Sequence, residues 1–249
     1  MAGRSALIVS HGQPSDPDVA EQEILAVAAA VASHLPPDWA VRGATLASDN
    51  AMENSIDESA ADVSTAVSAA APLLIYPMFM SDGWFTKTVI PKRLGQRSSI
   101  SQLAPFGIDP RLPALAARWL ESVIDEAGWA DSRVKVLVAA HGSGKSARPA
   151  EIAEQFTAAL EAEADRSGRR ISTSCGYVEQ EPFLTDAATQ LGRTSICLPF
   201  FAARRGHVLN DLPEALDRAD FIGLRLDPIG CHPDVPAFIA DALLAADRP

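Results

Sequence analysis

The chain has 249 residues, of which 47% are hydrophobic and 6% aromatic, enough for one large or two ordinary domains with a core of Ala, Leu, Val and Ile. That apolar content excludes a disordered chain. A formal net charge of −11 argues against nucleic acid or anionic lipid as a partner of the whole surface.

In chain order, an apolar strand at 6–10 ends in His11-Gly12 and leads to a helix over 19–33. A short strand at 42–46, a helix, a buried strand at 73–79, a loop and a helix beginning near Pro91 follow. A strand at 101–104 and a helix over 112–127 close this part. Residues 126–133, EAGWADSR, carry a helix stop with polar flanks and read as a short linker. The order then recurs. A strand at 134–140 ends in His141-Gly142, and the helix over 149–164 places Ile152, Phe156 and Leu160 at helical spacing. Strands at 172–178 and 194–200, a helix near Pro213, a strand at 223–226 and a helix over 235–245 complete it.

Three blocks of self-similarity support the recurrence. ALIVSHG at 6–12 matches VLVAAHG at 136–142, an offset of 130. Residues 74–94 match 196–216 at an offset of 122, pairing Pro77 with Pro199, Phe79 with Phe201, Pro91 with Pro213 and Leu94 with Leu216. APFGIDPRLPAL at 104–115 matches DPIGCHPDVPAF at 227–238 at an offset of 123. Small shifts of offset need only loop insertions or deletions. The chain is therefore expected to be an internally duplicated α/β protein. Its two similar doubly wound parallel-sheet domains would span 1–127 and 133–249, because strands that alternate with helices form parallel sheets covered on both faces.

Ligands of open parallel sheets bind beyond the carboxyl ends of the strands. In the second half three polar residues fall at such ends: His141, Glu179 and, in the loop after the strand at 194–200, His207. Two imidazoles and a carboxylate can hold a borderline divalent metal and can move protons near neutral pH. The first half keeps His11 but has Phe85 where His207 stands, and no acid within 45–48 where Glu179 stands. The second half is therefore expected to carry the chemistry. The first half, with a degenerate site, would supply walls, including Trp84, Phe85 and Met80.

His141-Gly142-Ser143, Pro199-Phe200-Phe201 and Gly206-His207-Val208-Leu209-Asn210-Asp211-Leu212-Pro213 resemble the motifs of the type II tetrapyrrole chelatases, the CbiX- and SirB-like sirohydrochlorin chelatases in their long two-domain form. The resemblance covers both halves and is tightest in the second. It implies ATP-independent insertion of Co2+ or Fe2+ into a tetrapyrrole such as sirohydrochlorin, in cobalamin or siroheme biosynthesis. His141 and His207 would be the metal-binding and proton-accepting pair, with Glu179 assisting. The family's long members keep their pair in the first half. A second-half pair is more like the anaerobic cobaltochelatases, which leaves Co2+, Fe2+ and Ni2+ open as the metal substrate. A carboxylate-rich substrate needs local cations on an acidic protein, and Ser143, Lys145, Arg148, Arg204 and Arg205 flank the histidines in sequence. A non-catalytic tetrapyrrole- or metal-binding protein of the same fold is the alternative.

GSGKS at 142–146 is not read as a nucleotide site, since a phosphate loop needs Gly where Ala139 stands. His232 is matched by Asp109 in the first half and is not counted as a ligand. Cys175, Cys197 and Cys231 form no CxxC and read as free buried thiols of a reducing compartment. The apolar run at 6–9 is too short for a signal-peptide core, and the run at 66–71 is small and interrupted. A soluble cytoplasmic protein with no membrane partner is expected.

Overall fold

The computed structural model describes residues 3–64, 72–95 and 99–247. The run at 66–71 lies outside them. Two four-stranded parallel sheets are present. The first is built from β1 (Arg4–Ser10), β2 (Trp39–Thr45), β3 (Leu73–Pro77) and β4 (Ile100–Gln102), in the order β2-β1-β3-β4. The second repeats that order as β6-β5-β7-β8, with β5 (Val134–Ala140), β6 (Ile171–Tyr177), β7 (Ser195–Pro199) and β8 (Leu224–Arg225). The α/β class and the duplication read from the sequence are both present.

The helices that accompany the first sheet are α1 (Pro17–Ala32), α2 (Ala51–Ser64) and α3 (Ile90–Leu94). Leu7 and Val9 of β1 join one cluster with Met52 and Ile56 of α2 and Ile90 and Leu94 of α3. Ile8 alternates to the opposite face and is also fully buried, so both faces of the sheet are covered. The second sheet has α5 (Arg148–Arg166), α6 (Leu184–Thr189), α7 (Gly206–Leu209) and α8 (Asp211–Arg218). Leu137 and Ala139 of β5 pack there with Leu184, Val208, Leu212 and Leu216.

The compact units do not coincide with the sequence halves 1–127 and 133–249. One unit is residues 1–106 with 233–249, and the other is 107–232. The last helix of each repeat is exchanged. Helix α4 (Leu112–Glu126) packs with α5, and α9 (Val235–Ala246) packs with α1 and β3. Leu112, Leu115, Ala116, Leu120 and Ile124 of α4 are buried, as are Val235, Phe238, Ile239 and Leu243 of α9. An apolar helix face requires a matching surface, and duplication provides two. Residues that fix the choice include Phe106, which meets Phe238 edge to face at 5.8 Å between centroids, and Arg4, which bonds Asp247 at 2.5 Å.

The thiols differ from the expected uniform burial. Cys197 is buried, Cys175 is half-buried and Cys231 is exposed. Burial pushes the Cys197 thiol up to about 12 and raises that of Cys175, because a thiolate loses solvation there. In the native protein at pH 8, a thiol reagent is expected to modify Cys231 first and to leave Cys197 unmodified until the chain is unfolded. Mass mapping of alkylated peptides checks this, and native labelling of Cys197 at the rate of Cys231 would contradict the buried placement.

Candidate metal and proton-transfer site

The strand-end glycine explains how an imidazole is presented. Gly142 has φ +68°, and a Cβ there would come within 2.8 Å of Gln180 Cγ and 3.0 Å of Tyr177 Cβ. The chain can therefore turn sharply after Ala140 and lie against the end of β6 only with glycine at this position. Two bonds hold the turn to the next strand end. The Glu179 N–H donates to the His141 carbonyl at 3.0 Å, and the Ser143 N–H donates to Gln180 Oε1 at 2.7 Å. His141 and Glu179 are thus brought together by the sheet register.

His207 does not lie in a loop, as the sequence suggested, but on the short helix α7. The helix near Pro213 begins earlier than expected and is broken at Asn210. Pro213 cannot donate to the Leu209 carbonyl four residues back, and its ring crowds that carbonyl, so one helix becomes two. Pro91 stands at the matching position in the first repeat, where residues Phe85–Val89 form a π-helical turn that runs on into α3. His207 therefore projects from a single helical turn.

The three expected residues converge. Ligand atoms of His141, Glu179 and His207 lie within 4.8 Å of one another. His141 Nε2 and His207 Nε2 are 2.9 Å apart, and the rings meet edge to face with centroids 4.3 Å apart. His141 Nδ1 lies 2.9 Å from the Gly142 carbonyl and 3.8 Å from Glu179 Oε2. His207 Nδ1 lies 2.5 Å from Asp211 Oδ2. A carbonyl and a carboxylate only accept, so both Nδ1 atoms carry hydrogen, and in the neutral rings both Nε2 atoms present lone pairs to one point. Two lone pairs at this distance repel unless a proton or a cation sits between them. With metal–nitrogen bonds of about 2.0–2.1 Å, the 2.9 Å separation corresponds to an angle of about 90° at the ion. Imidazole nitrogens suit borderline divalent ions such as Fe2+, Ni2+ or Zn2+.

Asp211, the last acidic residue of the Gly206–Pro213 motif, is a site residue that the strand-end argument misses. Its signal was its spacing, four residues after His207, where helical side chains meet.

The first sheet keeps half of this arrangement. His11 Nδ1 lies 2.9 Å from the Gly12 carbonyl, as His141 does from Gly142. The facing ring is Phe85, edge to face at 4.4 Å. The register that pairs Ser10 with Thr45 and Ala140 with Tyr177 puts Ala47 where Glu179 stands. Trp84 is 65% exposed, Phe85 and Met80 are half-buried, and Phe85 packs toward the core with Phe79.

The cationic residues are placed less uniformly than their sequence positions suggested. Lys145 is exposed and Arg205 half-buried. Arg204 pairs with Asp227 at 2.5 Å, and Arg148 pairs with Glu151 at 3.4 Å. Ser143 Oγ accepts from the Lys145 N–H at 3.2 Å. A separate concavity of about 710 Å³ lies on α5 and β6, but Glu154, Glu161 and Asp165 line it. Three carboxylates repel a polycarboxylate, so volume alone does not make that cavity the substrate site.

Parallel sheets whose carboxyl edge gathers an imidazole pair and a carboxylate fit the chelatase class. Solved structures bear this out over nearly the whole chain. The structure of CbiX, the terminal enzyme for biosynthesis of siroheme in denitrifying bacteria, is 41% identical with a TM-score of 0.82, covering 98% of this chain and 99% of that one. SirB from Bacillus subtilis with Fe3+ is 15% identical with a TM-score of 0.74, covering 99% and 96%. DR2241 from Deinococcus radiodurans, a multi-domain protein with structural similarity to chelatases, is 20% identical with a TM-score of 0.67; the match covers 98% of this chain and 54% of DR2241. The last two show the fold alone. No family model and no curated protein sequence matches the chain. With the identity to CbiX spanning almost every residue, the chain belongs to the CbiX/SirB-like type II chelatase family.

Proposed function

We propose that the protein inserts Fe2+ into sirohydrochlorin at His141 and His207, with Glu179 assisting and without ATP. The observation that carries this is the pair of Nε2 atoms 2.9 Å apart, each ring with its Nδ1 on an acceptor. A free-base macrocycle must lose two N–H protons as M2+ enters. The two imidazole nitrogens that release the metal are then two free bases, one for each proton. Two imidazolium rings at this distance repel, so the second proton is driven onward. Glu179 supports that exit, since its side chain is 48% exposed and 3.8 Å from His141 Nδ1. The net step is sirohydrochlorin plus M2+ giving the metallated macrocycle plus two protons.

The choice of Fe2+ over Co2+ is supported by the 41% identical CbiX, the terminal enzyme for biosynthesis of siroheme, since siroheme is an iron tetrapyrrole. Free thiols support a cytoplasmic setting, and no helix among the described residues is long and apolar enough to cross a membrane. The reading is tested by following the visible absorption of sirohydrochlorin anaerobically with Fe2+, Co2+ or Ni2+ and no nucleotide. Catalysed insertion with Fe2+ is the expected result. Catalysis with Co2+ alone would move the reaction to cobalamin synthesis. No rate above the spontaneous one with any metal would leave a non-catalytic binder.

Lys145, Arg204 and Arg205 would meet the substrate carboxylates. Arg204 can exchange its partner, because an exposed ion pair with Asp227 is worth only about 0–1 kcal/mol. An Arg204→Ala, Arg205→Ala double variant is expected to raise the KM for sirohydrochlorin roughly tenfold, the loss of about one charge-assisted hydrogen bond. Its affinity for Co2+ alone should not change. Steady-state kinetics beside metal titration separates the two, and an unaltered KM would remove both arginines from the site.

A further inference from the structure

We propose that Asp211 is a positioning residue for this reaction: its carboxylate takes the Nδ1 hydrogen of His207 and thereby holds the Nε2 lone pair on the metal position shared with His141. The proposal rests on the chelatase reading of the His pair.

The geometry is direct, with Asp211 Oδ2 2.5 Å from His207 Nδ1. The need is local. His141 follows a strand and turns against its own Gly142 carbonyl, in a segment tied down by Glu179 and Gln180. His207 stands on a single helical turn, and its Nδ1 finds its acceptor on a side chain and not, as that of His141 does, on the next carbonyl. Asp211, four residues on, supplies it across the break at Asn210.

The duplication provides an internal comparison. At the offset of 122, Phe85 stands for His207 and Val89 for Asp211. Where the imidazole is absent the carboxylate is absent too, although His11 and its Gly12 contact remain. A helix start does not explain Asp211. A carboxylate in the first turn of α8 favours the helix, yet α3 begins only one position later in the first repeat with the apolar Val89 as its N-cap. A metal-binding imidazole commonly donates its other N–H to a carboxylate, which fixes the tautomer and strengthens the ligand.

The test uses the full-length protein with Asp211→Ala and Asp211→Asn. Three quantities are read: Co2+ affinity of the protein alone from its visible bands, kcat and KM for metal and sirohydrochlorin separately, and the thermal midpoint. Asp211→Ala is expected to lower Co2+ affinity and kcat by roughly 10- to 100-fold while leaving the KM for sirohydrochlorin unchanged. Asp211→Asn, whose amide oxygen still accepts the Nδ1 hydrogen, should recover much of both. Wild-type Co2+ affinity and kcat in a folded Asp211→Ala protein would overturn the proposal. So would a fall in thermal midpoint with neither quantity changed, or an asparagine variant as defective as alanine. A wild-type protein inactive with every metal would instead sink the chelatase reading, and its Co2+ affinity would still report on Asp211.

Discussion

Replacing either His141 or His207 by alanine is expected to cut metal insertion by roughly 10²- to 10⁴-fold, the range associated with losing a positioned acid or base. His11→Ala should leave the rate close to that of the wild type. The asymmetry comes from what faces each ring. His141 meets a second imidazole at 2.9 Å, whereas His11 meets the apolar ring of Phe85. One imidazole beside a benzene ring has neither a second ligand nor a second base. The two substitutions should leave the fold intact, because the side chains are 40% and 43% exposed and such surface changes usually stay within about ±0.5 kcal/mol. Single-turnover insertion by the three variants, with circular dichroism as the control for folding, measures the difference. If His11→Ala proved the most damaging, the working face would belong to the first repeat.

A substitution at a residue without a side chain is expected to damage the same site. Gly230 packs directly beneath the loop that leads to His207. Its N–H donates to the Phe201 carbonyl at 3.0 Å, and a Cβ on it would fall 2.2 Å from the Ala202 carbonyl oxygen and 2.5 Å from the carbonyl carbon. Both obstacles are backbone, so no rotamer change relieves the clash. Gly230→Ala should therefore destabilise the protein by about 1–3 kcal/mol or more and displace the segment 201–207. Urea denaturation is expected to show the lower midpoint. Co2+ titration of the folded fraction should show weaker binding, because a displaced His207 no longer reaches the point that His141 faces. Full stability in Gly230→Ala would contradict the close backbone approach between Gly230 and Ala202.

How the fold was legible follows from particular segments. ALIVSHG and VLVAAHG each carry a run of apolar residues followed by glycine, and each became a central strand with a turn at positive φ: Gly12 at +75° and Gly142 at +68°. The repeat of three blocks led to the same strand order in both sheets. Helix limits were less legible around Pro91 and Pro213. There the proline signals a boundary, but its effect falls on the preceding turn, which carries Phe85 in one repeat and His207 in the other.

The sequence alone determined the composition of the candidate site. Strand-end position follows from local patterning, and strand ends in a parallel sheet share one edge, so His141, Glu179 and His207 could be gathered without coordinates. The tertiary structure alone decided which surface each closing helix covers and which polar group each side chain meets. Helices α4 and α9 are exchanged because a duplicated sequence offers each of them two similar surfaces, and only packing chooses. Arg204 lies against Asp227 for a related reason. A charged side chain is long and rotatable, so its partner depends on distances between backbone segments that periodicity and spacing do not specify.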